Sequence, residues 1–182
     1  MKVNWEKISL KDLAGFLSEK LRDEGIELIL VGGACVTIYS KNRYQSHDLD
    51  FITYEDQLKV KKALKKYGFE PQSGYFLRPN CPWIIEFVSP PVSVGNEPIH
   101  RFSDVKTKMG TIKMLRPIDC IKDRLASFYH WDDRQGLRQA LDVCHEIKNI
   151  DFASLRNWSK QEGFEDKFQE FLSAYQKEKT KN

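Results

Sequence analysis

The stretch LILVGGACVTIYSKNRYQSHDLDFIT, residues 28–53, decides the reading of this chain. It begins as an apolar, strand-like run that ends at Val31. The pair Gly32-Gly33 follows, and about fifteen residues later comes Asp48-Leu49-Asp50-Phe51. Side chains alternate along a strand, so Asp48 and Asp50 share a face. Like charges that close repel. A divalent cation such as Mg²⁺, which takes hard oxygen ligands and keeps positions open for water and phosphate, would hold both ionised. The glycine pair falls where a strand turns into a helix, and a helix N-terminus offers free N–H groups to phosphate. Metal carboxylates beside a phosphate cradle point to transfer of a phosphate-linked group.

Working outward, Ser9 to Glu24 reads as a helix. Ser9 and Asp12 form a capping pair, Leu10, Leu13, Phe16, Leu17 and Leu21 form an apolar stripe, and Gly25 is the stop. Glu27–Val31 and Leu49–Thr53 read as strands, Ala34–Ser40 as a short helix, and Lys41–His47 as a polar loop. Glu55–Tyr67 reads as an amphipathic helix with Leu58 and Leu64 inward. Phe69–Gln72, Gly74–Leu77, Trp83–Val88 and Thr111–Leu115 are strand-like, and the stretch from Pro90 to Ser103 reads as a loop. From Pro117 the pattern turns helical: Pro117–Trp131, Arg134–Lys148 capped by Asp132 or Asp133, Asp151–Gly163 and Glu165–Lys177. Phe152, Leu155, Trp158, Phe168, Phe171 and Leu172 are the buried candidates of the last two. The expected fold class is α+β. A small mixed β-sheet core with flanking helices spans 1–115, and a C-terminal helical bundle spans 116–182.

Glu86 sits inside Trp83-Ile84-Ile85-Glu86-Phe87-Val88, with apolar residues on both sides. A charge there is costly unless compensated. Either it pairs with a buried arginine or it points at Asp48 and Asp50 from a neighbouring strand.

Bulk properties narrow the field. The chain has 182 residues, 41% apolar and 12% aromatic, enough for a proper core, and a net charge of +3, which permits an anionic substrate without demanding long nucleic acid. The four cysteines, Cys35, Cys81, Cys120 and Cys144, show no C-x-x-C spacing, and reduced thiols of a cytoplasmic protein are expected. Met1 to Lys7 is polar, without a signal-peptide pattern. No apolar run approaches the roughly 20 residues that span a bilayer, so no membrane partner is expected.

With Val31, Gly32, Gly33, Asp48, Leu49, Asp50 and Glu86 in place, the chain resembles the nucleotidyltransferase superfamily typified by DNA polymerase beta, poly(A) polymerase and aminoglycoside adenylyltransferases. Its pattern is an apolar residue, Gly, then Gly or Ser, then Asp-apolar-Asp, with a third acidic residue on a later strand. Arg43 and Ser46 match the Arg-x-x-Ser/Thr-x-Asp form of the small bacterial branch, which includes the toxin nucleotidyltransferases of abortive-infection systems. In those toxins a Lys on a later helix and an Asp on the next are functional. Lys122 and Asp142 are the matches here. The resemblance spans Glu27 to Val143 and departs at Gly33, where many active members carry Ser to hold a terminal phosphate.

The resemblance implies a two-metal Mg²⁺ site on Asp48, Asp50 and Glu86, with a nucleoside triphosphate (NTP; ATP is one candidate) as substrate. Gly32, Gly33, Arg43, Ser46, Lys122 and Asp142 would bind the nucleotide. A nucleoside monophosphate would pass to a hydroxyl of tRNA, a protein or a small molecule, and pyrophosphate would leave. Two other readings stay open: a degenerate nucleotide- or partner-binding module, and the toxin of a toxin–antitoxin pair, with an antitoxin as partner.

Arg134, Arg138 and Asp142 share a helix face, either as a surface ion pair worth at most about 1 kcal/mol or as a phosphate- or acceptor-binding face. His47 should point away from Asp48. His100, His130 and His145 show no ligand spacing with one another. Tyr129 and Trp131 read as core.

Overall fold

The computed structural model describes residues 3–180. The first helix, α1 (Leu10–Arg22), starts directly after Ser9, its extended N-cap. The Ser9 Oγ accepts from the Asp12 backbone N–H at 3.1 Å, and its hydroxyl donates to the Asp12 carboxylate at 2.9 Å. Leu13, Leu17 and Leu21 are fully buried along one stripe. Strand β1 (Ile29–Val31) runs directly into α2 (Gly32–Tyr39), and β2 (Asp48–Ile52) returns antiparallel to β1. Then come α3 (Gln57–Lys65), capped by the Asp56 carboxylate, and the strands β3 (Glu70–Gln72), β4 (Tyr75–Leu77) and β5 (Ile84–Val88).

A short hairpin, β6 (Ser93–Val94) and β7 (Glu97–Pro98), leads to β8 (Phe102–Lys106) and β9 (Thr111–Leu115). Four helices finish the chain: α4 (Pro117–Trp131), α5 (Arg134–Glu146), α6 (Phe152–Gln161) and α7 (Glu165–Lys179). Asp133 caps α5 and Asp151 caps α6 through side-chain oxygens.

The main sheet has seven strands in the order β3-β4-β5-β2-β1-β9-β8. β2 pairs parallel with β5, and β1 parallel with β9; the remaining pairings are antiparallel. The fold is therefore mixed α+β. Its buried side chains form one cluster that reaches from Ile8 through the sheet to Phe171. α4 and α5 cross closely at Gly136, where a Cβ would stand 2.7 Å from the Arg124 carbonyl oxygen.

Several expectations are corrected. The presumed loop from Pro90 to Ser103 contains the β6–β7 hairpin and the start of β8, an edge strand that pairs along its length with β9. Leu58 is exposed, while Val60, Ala63 and Leu64 form the buried stripe of α3. Leu58 and Leu64 are six residues apart, about 240° around a helix, and cannot share a face. Trp131, at the last position of α4, is 77% exposed; Tyr129 is buried as expected. Phe152 and Leu172 are half-buried, whereas Leu155, Trp158, Phe168 and Phe171 are core.

Candidate active site

The parallel pairing of β2 with β5 places Asp50 opposite Glu86, with Asp48 on the same face two residues back. One carboxylate oxygen from each of Asp48, Asp50 and Glu86 lies within 4.8 Å of the others, and all three side chains are half-buried. On the opposite face of the same strands, Leu49, Phe51 and Ile85 are fully buried. That apolar packing fixes the register, because a slip of one residue would turn the acids into the core. Burial, then repulsion from Asp48 and Glu86, with Asp123 adding to it, push Asp50 up from the ordinary carboxylate value to about 6; Arg124 opposes the rise.

Two glycines and a serine hold the acids. Gly32 has φ of +66°, and a Cβ on it would stand 2.2 Å from the Asp50 Oδ2. Only a residue without a side chain lets Asp50 come this close to the start of α2. The Ser46 hydroxyl donates to the Asp48 Oδ1 at 2.5 Å. The Ser46 N–H donates to the Thr37 Oγ1 at 2.9 Å, and the Thr37 hydroxyl donates back to the Gly33 carbonyl at 3.3 Å. A continuous network thus runs from the first turn of α2 to Asp48. A Cβ at Gly33 would meet the Ser46 Oγ at 2.9 Å. The Ser46 hydroxyl therefore stands beside the place where a serine side chain at position 33 would begin.

A cavity of about 300 Å³ opens beside Asp50, lined also by Gly32, Ser93 and Asp123. Asp123 is gripped by Arg124, whose Nη2 donates at 2.5 Å and Nε at 3.0 Å, while the Arg124 Nη1 reaches the Gln139 Oε1 at 3.3 Å. These two residues of α4 were missed by sequence reasoning. The apolar stripe Ile118, Ile121, Leu125, Phe128 orients the helix, but it does not tell which flank meets the sheet.

Of the sequence-selected residues, Gly32, Gly33, Ser46, Asp48, Asp50 and Glu86 are gathered in one place. The remaining three have ion-pair partners of their own. Arg43 pairs with Glu146 at 2.9 Å, which Lys41 also meets. Lys122 is buried, pairs with Glu97 of β7 at 2.5 Å, and lies 5.7 Å from the Trp158 ring centroid. Asp142 is buried and pairs with Arg138 at 3.1 Å. His47 is exposed next to the motif. Arg134 and Arg138 are engaged by Glu170 and Glu178 of α7, so their helix face carries an ion-pair network.

No family model matches the chain, and no curated protein matches it by sequence. Among solved structures, an antigenic nucleotidyltransferase-like protein from Paracoccidioides brasiliensis superposes with a TM-score of 0.61 at 16% identity, covering 91% of this chain and 92% of that one. The antibiotic-resistance factor ANT(2'')-Ia superposes with a TM-score of 0.48 at 11% identity, covering 95% and 97%. The chain has the fold of a nucleotidyltransferase-like protein.

Proposed function

We propose that the protein is a divalent-cation-dependent nucleotidyltransferase that moves a nucleoside monophosphate from an NTP to a hydroxyl acceptor on RNA, a protein or a small molecule. The observation that carries this reading is the meeting of Asp48, Asp50 and Glu86 on adjacent parallel strands, beside the glycine start of a helix. The donor set fits a hard cation: it is all oxygen and half-buried, and burial together with repulsion from Asp48 and Glu86 lifts Asp50 to about 6. When bound, such a cation supplies charge stabilisation for the attacking and leaving oxygens of an in-line displacement.

The chain's own residues do the rest. The first N–H groups of α2, which no side chain caps, would receive phosphate oxygens. Ser46 locks the orientation of Asp48. Glu86 accepts the proton of the acceptor hydroxyl. The new bond forms between the hydroxyl oxygen and the α-phosphorus, the bond from that phosphorus to the bridging oxygen breaks, and pyrophosphate carries away the charge. Arg124 sets a fixed positive charge near Asp50 and limits the repulsion there. Arg43, Lys122 and Asp142 remain nucleotide-binding candidates by resemblance. A phosphate role for Lys122 requires it to leave Glu97.

The test is incubation with each of the four α-labelled triphosphates, Mg²⁺ and cell extract. Label should move to a product with one of them and should fail to move with Asp48→Asn. No label from any of the four, with Mg²⁺ or Mn²⁺, would leave only a binding module.

Arg124→Met should strengthen Mn²⁺ binding at pH 7 by about threefold to tenfold, because losing a fixed positive charge and leaving Asp123 unopposed make the site more negative toward a dication, which outweighs a slightly higher proton affinity at Asp50. Arg124→Lys, which keeps the charge, should bind Mn²⁺ about as the wild type does. Calorimetric titration checks both variants, and an unchanged affinity in Arg124→Met would remove Arg124 from the site.

A further inference from the structure

A second and larger cavity, about 540 Å³, lies against the other face of the sheet. Phe87 follows Glu86 along β5 and so points away from the carboxylates. Phe76 pairs with Ile85 in the ladder and shares that face. The two rings form the cavity floor, packed edge to face with centroids 5.6 Å apart. Tyr54 and the first turns of α3, with Leu58 and Lys61, make the wall.

Two observations mark this as a site. Four large hydrophobic side chains are exposed among the described residues, and two of them, Tyr54 and Leu58, line this one cavity, while Tyr75, the ladder partner of Glu86 on the carboxylate face, only borders it. Single exposed apolar residues are ordinary; convergence on one concave surface is not. The charges are also unbalanced. Glu55 at the rim is neutralised by Lys59 at 2.7 Å, and Lys65 and Lys66 are answered by Glu70 and Glu24. Lys61, which lines the cavity, has no carboxylate partner among the described residues. An aromatic floor with one free ammonium at its edge is complementary to a flat ring bearing an acid. The volume falls within the range of small-molecule sites, roughly 300–1,000 Å³.

We propose that this cavity binds a small planar aromatic acid, its ring on Phe76, Phe87 and Tyr54 and its anionic group on Lys61. The site is distinct from the carboxylate cluster. Val88 and Ser89 nevertheless line both cavities, so an occupant touches the segment that leaves the Glu86 strand.

The probes are 2-naphthoate and its neutral isostere 2-naphthamide, titrated into the full chain and followed by amide NMR shifts, with sedimentation at the same concentration. Naphthoate should shift Leu58, Lys61, Phe76 and Phe87 saturably. Lys61→Ala should weaken it about threefold to fivefold, to the level of the amide. Tyr54→Ser should weaken both probes about threefold to tenfold. Both variants lie on the surface, so loss of folding is not in play. Asp50→Asn and a chelator should change neither titration, which separates this site from the transferase reading. Equal affinity for acid and amide overturns the proposal. So does binding that ignores Lys61→Ala, the absence of saturable shifts there, or a dimer that closes the cavity.

Discussion

Asp50→Asn should abolish nucleotidyl transfer, by about a thousandfold or more, and at the same time make the cation-free protein more heat-stable at pH 8. The first effect follows from losing one carboxylate of three at the cation site. The second follows from electrostatics. Asp50 carries a proton up to about pH 6 because it is half-buried and faces Asp48 and Glu86. Below the unfolded value of 3.8 it is protonated in both states, and the substitution changes little. Between there and about 6 the folded state holds a proton that the unfolded chain has released, so stability falls as pH rises. Above about 6 the penalty is complete and constant. An amide has no such penalty, so the melting temperatures of wild type and variant should diverge from pH 4 to about pH 7 and then run parallel. Melting curves in chelator across that interval check it. A gap independent of pH would sink the electrostatic account, and retained transfer would reject the metal assignment.

Gly32→Ala should be the most damaging single-methyl change in the site. The backbone there sits at φ +66°, which costs an L-residue about 1–2 kcal/mol. Beyond that strain, the new methyl would lie 2.2 Å from the Asp50 Oδ2, so either the first turn of α2 or the carboxylate must move. A loss of at least about 2 kcal/mol of stability is expected, together with more than about tenfold weaker Mn²⁺ binding. Gly33→Ala asks for less, because only the Ser46 hydroxyl must swing aside and φ there is not positive. Urea denaturation of both variants measures the contrast. Equal, small losses would mean that the approach of Asp50 to the helix start is not what glycine at position 32 serves.

The legible parts of this chain were those where chemistry and periodicity agree. Asp48-Leu49-Asp50 alternates with buried Leu49 and Phe51, so one strand face had to be acidic and the other apolar. Glu86 was readable because a lone charge among Ile84, Ile85, Phe87 and Val88 needs a compensating neighbour. The Ser9 cap, and Asp133 as one of two candidates for the α5 cap, followed from side-chain oxygens placed just before apolar stripes.

What escaped depended on tertiary contact. β8 has only Phe102 and Val105 as apolar residues, and it exists because β9 offers a partner across the turn at Gly110. The β6–β7 hairpin carries a readable turn signal in Gly95-Asn96, but its strands are two residues each, too short for any periodic pattern. Leu58 was misjudged by composition; counting 100° per residue places it off the stripe that includes Leu64. On α4, Lys122, Asp123 and Arg124 are consecutive charges. Which of them meets Asp50 is decided by how α4 lies on the sheet, which the helical period does not encode.

In the proposed site three acidic side chains share one cation. Electron paramagnetic resonance of free Mn²⁺, titrated with the full chain at pH 7.5 without nucleotide, tests this most directly. The free-ion signal should fall as protein is added, reach saturation at a fixed stoichiometry, and recover when Glu86→Gln or Asp50→Asn replaces the wild type. If the free Mn²⁺ signal persists at high protein concentration, or falls equally with all three proteins, the carboxylates do not form the proposed metal site.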